Sequence, residues 1–233
     1  MPKPPPTCVL LMSAHPHLAD SAEDFCRRLF TIRYTCRRER RDNTMPQELS
    51  DLIRGGEIDY LLNFLSPIII PGDVLAAVKR DAINFHPAPP EWPGVGSASY
   101  ALYHGEKTFG VTAHQMIPKV DSGPIYDVLR FPILPGDDCE AVFRRAIEHA
   151  LVQFYYLIPR LAVDGALKPS GDTWKRKPIK RKEFEAWMTM TPDTPPDEMK
   201  RKIRATRHPR YSGPYLQVGN WRFELPPGPC DLP

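Results

Sequence analysis

Three residues of this sequence have side chains suited to acyl transfer, at positions that read as strand ends. Asn84 and His86 sit two residues apart in the stretch Asp81–His86, and alternate residues of a strand share one face. Asp121 follows in the connection after a second apolar stretch, Val111–Met116. A carboxamide can donate to an oxyanion, an imidazole can donate or carry a proton, and a carboxylate can orient the imidazole. An ionised Asp121 beside His86 is expected to raise the imidazole pKa by stabilising the cation. Each residue also has a plainer use. A lone histidine after a strand is usually satisfied by a backbone carbonyl, and Asp-Ser-Gly is a common turn. Their occurrence together, with a rigid Pro-rich stretch, Pro87–Gly96, directly after His86, favours chemistry.

The elements that must position them alternate. Cys8–Met12, Thr31–Cys36, Asp59–Leu65 and Ala82–Phe85 read as strands. Asp20–Phe30, Pro46–Arg54 and Gly72–Lys79 read as the helices between them. This alternation predicts an α/β fold, a Rossmann-like and mostly parallel sheet with helices on both faces. Ligands of such sheets bind at the carboxyl ends of the strands. Further on, Ser97–His104 predicts a short helix, and Val111–Met116 and Ile125–Ile133 predict two more strands. A long amphipathic helix follows, with an apolar stripe from Val142 to Leu161. From Gly171 the composition turns basic, then Pro- and aromatic-rich. We read 1–170 as the catalytic domain and 171–233 as a small appendage of short strands and loops.

A chain of 233 residues with 42% hydrophobic and 25% charged residues can bury a core. Its five cysteines, Cys8, Cys26, Cys36, Cys139 and Cys230, are isolated, with no CxxC pair or His/Cys cluster. Free thiols in a reducing compartment and no metal site are expected. The longest apolar run, Leu61–Ile70, is interrupted by Asn63, Ser66 and Pro67 and is too short to span a bilayer. A cytoplasmic protein with no membrane association is expected.

Several residues near the set have two readings. His114 shares a strand face with Thr112, so it either lines the substrate side or packs within the strand. Trp92 within the Pro-rich stretch, and Tyr100, Tyr103 and Phe109 after it, can stack on a base or sugar or fill a core. The basic run Trp174–Lys182, and the Arg37, Arg38, Arg40, Arg41 run, are commonly solvated surface. No nucleic-acid motif accompanies them, so no nucleic-acid partner is expected.

Asn84-x-His86-Pro87 followed by Asp121-Ser122-Gly123, with the HPAPP, WPG, GVT and DSGPI contexts, resembles the enzymes that transfer a formyl group from N10-formyltetrahydrofolate. The resemblance implies catalytic roles for Asn84, His86 and Asp121, with N10-formyltetrahydrofolate as cosubstrate and no metal. It maps Leu61–Ile70 and Ile117–Asp121 onto folate-enclosing segments, which implies Asn63, Leu65, Ile70, Ile117 and Val120 as cofactor contacts. The span HPAPPEWPG through KVDSGPI is most similar to sugar N-formyltransferases. That implies a nucleotide-linked amino sugar as substrate, with His114, Trp92 and Tyr100 as candidate contacts. Methionyl-tRNA and glycinamide ribonucleotide formyltransferases carry a related core and remain alternatives, as does a non-catalytic folate- or nucleotide-binding protein. Sheet edges and the appendage are compatible with a homodimer.

Overall fold

The computed structural model describes residues 4–39, 42–209 and 213–226. Arg40, Arg41 and Cys230 lie outside the described residues. The chain divides into two compact units that interleave in sequence. The first comprises 1–87, 111–129 and 147–173, and the second 88–110, 130–146 and 174–233.

Six strands form one sheet: β1 (Thr7–Ser13), β2 (Thr31–Arg38), β3 (Tyr60–Phe64), β4 (Asp81–His86), β5 (Thr108–Gln115) and β6 (Ile125–Pro132). Their order is β2-β1-β3-β4-β5-β6. Strands β2, β1, β3 and β4 pair in parallel, and β5 runs antiparallel to β4. Helices α1 (Pro16–Arg27), α2 (Gln47–Arg54) and α3 (Gly72–Ala76) make the connections between the parallel strands. This is the mostly parallel, Rossmann-like α/β architecture that the alternation predicts.

Strand parity explains what each face buries. Val9, Leu11, Leu61 and Ala82 pack with Leu49 and Ile53 of α2 and Val74 of α3. On β3 and β4 the opposite parity carries Phe64 and Phe85. Their rings meet Phe154 of the long helix α5 (Cys139–Asp164) at 5.1 and 4.9 Å between centroids. Asn84 and His86 continue the parity of Ala82. One line of side chains along β4 therefore begins as core and ends as polar groups at the strand's carboxyl end.

The second unit contains the Pro-rich stretch from Ala88 onward, α4 (Ser97–Tyr103) and most of the C-terminal region. That region was expected to hold short strands and loops. It contains two helices, α6 (Arg181–Met188) and α7 (Pro196–Thr206), besides a three-stranded sheet of β7 (Thr189–Met190), β8 (Tyr215–Val218) and β9 (Trp221–Glu224). The helix signals were present beneath the charge. Phe184, Trp187 and Met188 have helical spacing, and α7 starts at a proline with acids in its first turn and Arg204 in its last. The basic segment before α6 is tied to the Pro-rich stretch by backbone bonds. Ile179 N donates to Pro93 O at 3.0 Å, and Val95 N donates to Ile179 O at 2.9 Å. A Cβ on Gly94 would stand 2.4 Å from Ile179 O, and its φ of +88° favours glycine in any case.

The rings of Phe64, Phe85 and Phe154 pack together beneath β4. Phe154→Ala should cost about 3–5 kcal/mol, the usual range for emptying a buried aromatic site. Urea unfolding measures this, and a loss below about 1 kcal/mol would mean that the sheet does not depend on this cluster.

Candidate active site

Antiparallel pairing sets Asn84 opposite His114 and His86 opposite Thr112. Residues opposite one another in such a pair project from the same face. The Asn84 Nδ2 and His114 Nε2 atoms are 3.0 Å apart, and His114 Nδ1 lies 2.8 Å from the carbonyl oxygen of Gln115. Asp121 completes the group. Its Oδ1 stands 3.6 Å from His86 Nδ1 and 3.5 Å from His114 Nε2. Asn84, His86 and Asp121, grouped from the sequence, thus converge within the first unit, and His114 joins them.

The loop carrying Asp121 is held by close approach. Asp121 has a φ of +45°, an unusual conformation for a residue other than glycine, and such strain collects at functional loops. A Cβ on Gly123 would stand 2.1 Å from Gln115 O, so only glycine lets this turn lie against β5. Gln115 N also donates to Pro124 O at 2.9 Å. The Gln115 backbone therefore meets both the imidazole, through its carbonyl, and the Asp121 turn, through its carbonyl and its N–H. Behind it, the Gln115 side chain donates to Asp81 at 3.3 Å, and the Tyr126 hydroxyl donates to the same carboxylate at 2.6 Å.

Asp121 is 5% exposed and the His86 side chain 12%. Burial pushes the His86 pKa below the ordinary imidazole value, while the Asp121 charge works upward against it. The sign expected for Asp121 is correct, but desolvation outweighs it. His86 is therefore a neutral imidazole at rest, able to accept a proton beside a carboxylate that stabilises the result.

The remaining sequence-named residues fall in three groups. Ile117 and Val120 are exposed at 36% and 49% on the loop before Asp121. Ile70 is packed in the core with Val9 and Val74, and its neighbour Ile69 is 53% exposed instead. A run of three isoleucines gives no sequence signal for which one faces out. The loop bearing Ile69 adjoins the Ile117–Val120 loop, since a Cβ on Gly72 would lie 3.0 Å from the Pro118 ring. Leu65, with φ +61°, opens that loop. Asn63 is buried and gives its carboxamide to the backbone of Ser66, accepting from N at 3.0 Å and donating to O at 3.3 Å. It shapes the loop. Ile69, Ile117 and Val120 together offer apolar surface suited to cover a flat ring.

Trp92 and Tyr100 belong to the second unit, where they stack at 5.8 Å and 4°. Both are buried, with Arg176 lying 3.8 Å over the Trp92 ring and Trp187 4.4 Å from that of Tyr100. Ring packing accounts for them, and Trp92 is not an open stacking platform. Among the described residues, no group of three or more His, Cys, Asp or Glu is arranged to hold a metal ion. No helix among them is long and apolar enough to cross a membrane.

Residues 7–156 match the family described as formyl transferase. The chain belongs to this family. A methionyl-tRNA formyltransferase from Mycoplasma capricolum is 32% identical over 99 residues, which is 42% of this chain and 31% of that protein. The match thus spans about a third of that formyltransferase's length. By fold, the chain superposes on a sugar N-formyltransferase from Shewanella sp FDAARGOS_354 with a TM-score of 0.75 at 16% identity, covering 94% of this chain and 96% of that one. An N-formyltransferase from Helicobacter canadensis, in complex with folinic acid and dTDP-3-aminofucose, gives a TM-score of 0.66 at 14% identity, covering 86% and 80%. The mostly parallel sheet is thus shared with these enzymes.

Two expectations follow from this geometry. Gly123→Ala should lower turnover at least tenfold by displacing Asp121, while thermal unfolding shows the protein still folded. Wild-type turnover in a folded variant would mean that the Asp121 position is not critical. The second concerns pH. A histidine with a depressed folded pKa binds fewer protons folded than unfolded, so stability falls as pH drops from the unfolded value of 6.5 through the folded one. His86→Gln should flatten this part of the melting-temperature profile, and an unchanged slope would locate the loss elsewhere.

Proposed function

We propose that this protein transfers a formyl group from N10-formyltetrahydrofolate to the amine of a nucleotide-linked amino sugar. The observation that carries the reading is the convergence of Asn84, His86 and Asp121 at the carboxyl end of β4, with Asp121 3.6 Å from His86. Residues 1–170 act as the catalytic part and 171–233 as its appendage.

The folate, when bound, supplies the formyl carbon and takes up a proton as N10 leaves. Its pterin suits the apolar surface of Ile69, Ile117 and Val120. Asn84 donates to the formyl oxygen as negative charge develops there, a contribution typically worth about 10²–10³ in rate. Neutral His86 accepts the proton lost by the attacking amine and returns it to N10 as the carbon–nitrogen bond breaks. Asp121 stabilises the imidazolium formed between those two steps. The proton count closes, and no metal is required.

Support for the sugar comes from the extent of the fold match to the Shewanella enzyme and from the nucleotide sugar held by the Helicobacter protein. A second reading, formylation of methionyl-tRNA, is favoured by the sequence relatives. Incubation with N10-formyltetrahydrofolate and either dTDP-linked amino sugars or methionyl-tRNA, with products weighed by mass spectrometry, separates the two. A formyl adduct on a sugar is expected, and an adduct on the tRNA alone would replace this reading with the second.

The rate should rise with pH as resting His86 and the amine lose their protons. Asp121 raises the His86 pKa, so Asp121→Asn should move the His86 inflection to lower pH while lowering the maximum about 10²-fold, as expected for losing a stabilised charge. An acid limb unchanged in position would show that Asp121 does not set His86 ionisation.

A further inference from the structure

We propose that His114 is a positioning residue, which sets the orientation of the Asn84 carboxamide through the tautomer imposed by the Gln115 carbonyl. This inference rests on the reading of Asn84 as a donor to the formyl oxygen.

A carbonyl oxygen only accepts. His114 Nδ1, 2.8 Å from Gln115 O, therefore carries a proton. In the neutral form of such a ring Nε2 is bare and is an acceptor. Asn84 Nδ2, 3.0 Å away, fills that role with one of its two N–H groups. The two ends of a carboxamide have nearly the same shape, and only their partners distinguish them. His114 is the partner that does so here. Because the amide is planar, holding one N–H also aims the second. A flipped carboxamide would put an acceptor where the donor to the developing charge belongs.

Two opposing influences act on the tautomer. Gln115 O is pinned by the Gly123 turn, and Gln115 N is bonded to Pro124 O. Asp121 Oδ1 stands 3.5 Å from Nε2, and its charge opposes the bare nitrogen. A proton on Nε2 would make it a donor and turn Asn84 around, so the Gln115 and Asn84 bonds must outweigh this pull. His86 also faces the ring, at 6.5 Å between centroids. His114 is itself only 2% exposed, and both ring nitrogens have protein partners, which leaves it poorly placed to touch a substrate.

The test has two arms. Nitrogen-15 NMR of histidine-labelled full chain, assigned by the signals lost in His114→Gln, reads which ring nitrogen carries the proton. A protonated Nδ1 with a bare Nε2 is expected at neutral pH, and a proton on Nε2 overturns the proposal. The second arm is kinetic, with N10-formyltetrahydrofolate and a dTDP-linked 3-amino sugar. His114→Leu should lower kcat about 10²–10³-fold, as does loss of one oxyanion donor, with little change in KM for the folate. The double variant with Asn84→Ala should be no slower than either single variant, since both remove the same donor. His114→Gln, whose carbonyl can accept from Asn84, should regain part of the rate. Losses that multiply, or no rescue by glutamine, would make His114 merely structural. Absence of formyl transfer by the unmutated protein would sink the proposed reaction, and the NMR arm would still decide the tautomer.

Discussion

Antiparallel pairing of β4 with β5 puts Asn84 opposite His114, and side chains opposite one another in such a pair have Cβ atoms about 5 Å apart on one face. The other features of the candidate site follow from this register. A slip of one residue would turn Asn84 and His86 to the aromatic face of the sheet. The packed Phe64, Phe85 and Phe154 rings on one face and Ala82 on the other leave little freedom for that slip. The same pairing places Gln115 at the end of β5, where its carbonyl bonds the His114 ring and supports the Asp121 turn.

The electrostatics of the site depend on burial more than on pairwise charge. His86 and Asp121 are both shielded from water, so a charge on either is expensive without the other. Desolvation holds His86 neutral at rest, and Asp121 lowers the cost of a proton arriving there. A base that is neutral before the reaction and stabilised when charged is suited to carry a proton between two nitrogens. This balance needs a rigid carboxylate, and the strained Asp121 backbone with the Gly123 contact supplies one.

Much of the first unit was legible in sequence because short apolar strands alternate with amphipathic helices, and strand parity alone puts Asn84 and His86 on one face. Asp121 was legible through Asp-Ser-Gly, although its approach to His86 depends on a Cβ-free contact that no pattern announces. His114 could be placed on its strand. Its ring partners could not, because they depend on register across two strands and on one carbonyl. The loop after β3 shows a similar limit, since hydrophobicity does not distinguish buried Ile70 from exposed Ile69. In the C-terminal region, proline and charge obscured α6 and α7. Trp92 and Tyr100 were ambiguous because stacking rings look alike in sequence whether they meet a ligand or one another.

The central claim is that β4 delivers Asn84 and His86 to a formyl group whose transfer they promote. Donor folate carrying a carbon-13 formyl label, followed by NMR in the presence of an acceptor amine, tests it directly. The account predicts that the label moves to the acceptor nitrogen with the wild-type protein. With a folded His86→Ala variant that still binds folate, the label should stay on the donor. Equal movement of the label with both proteins would contradict the account.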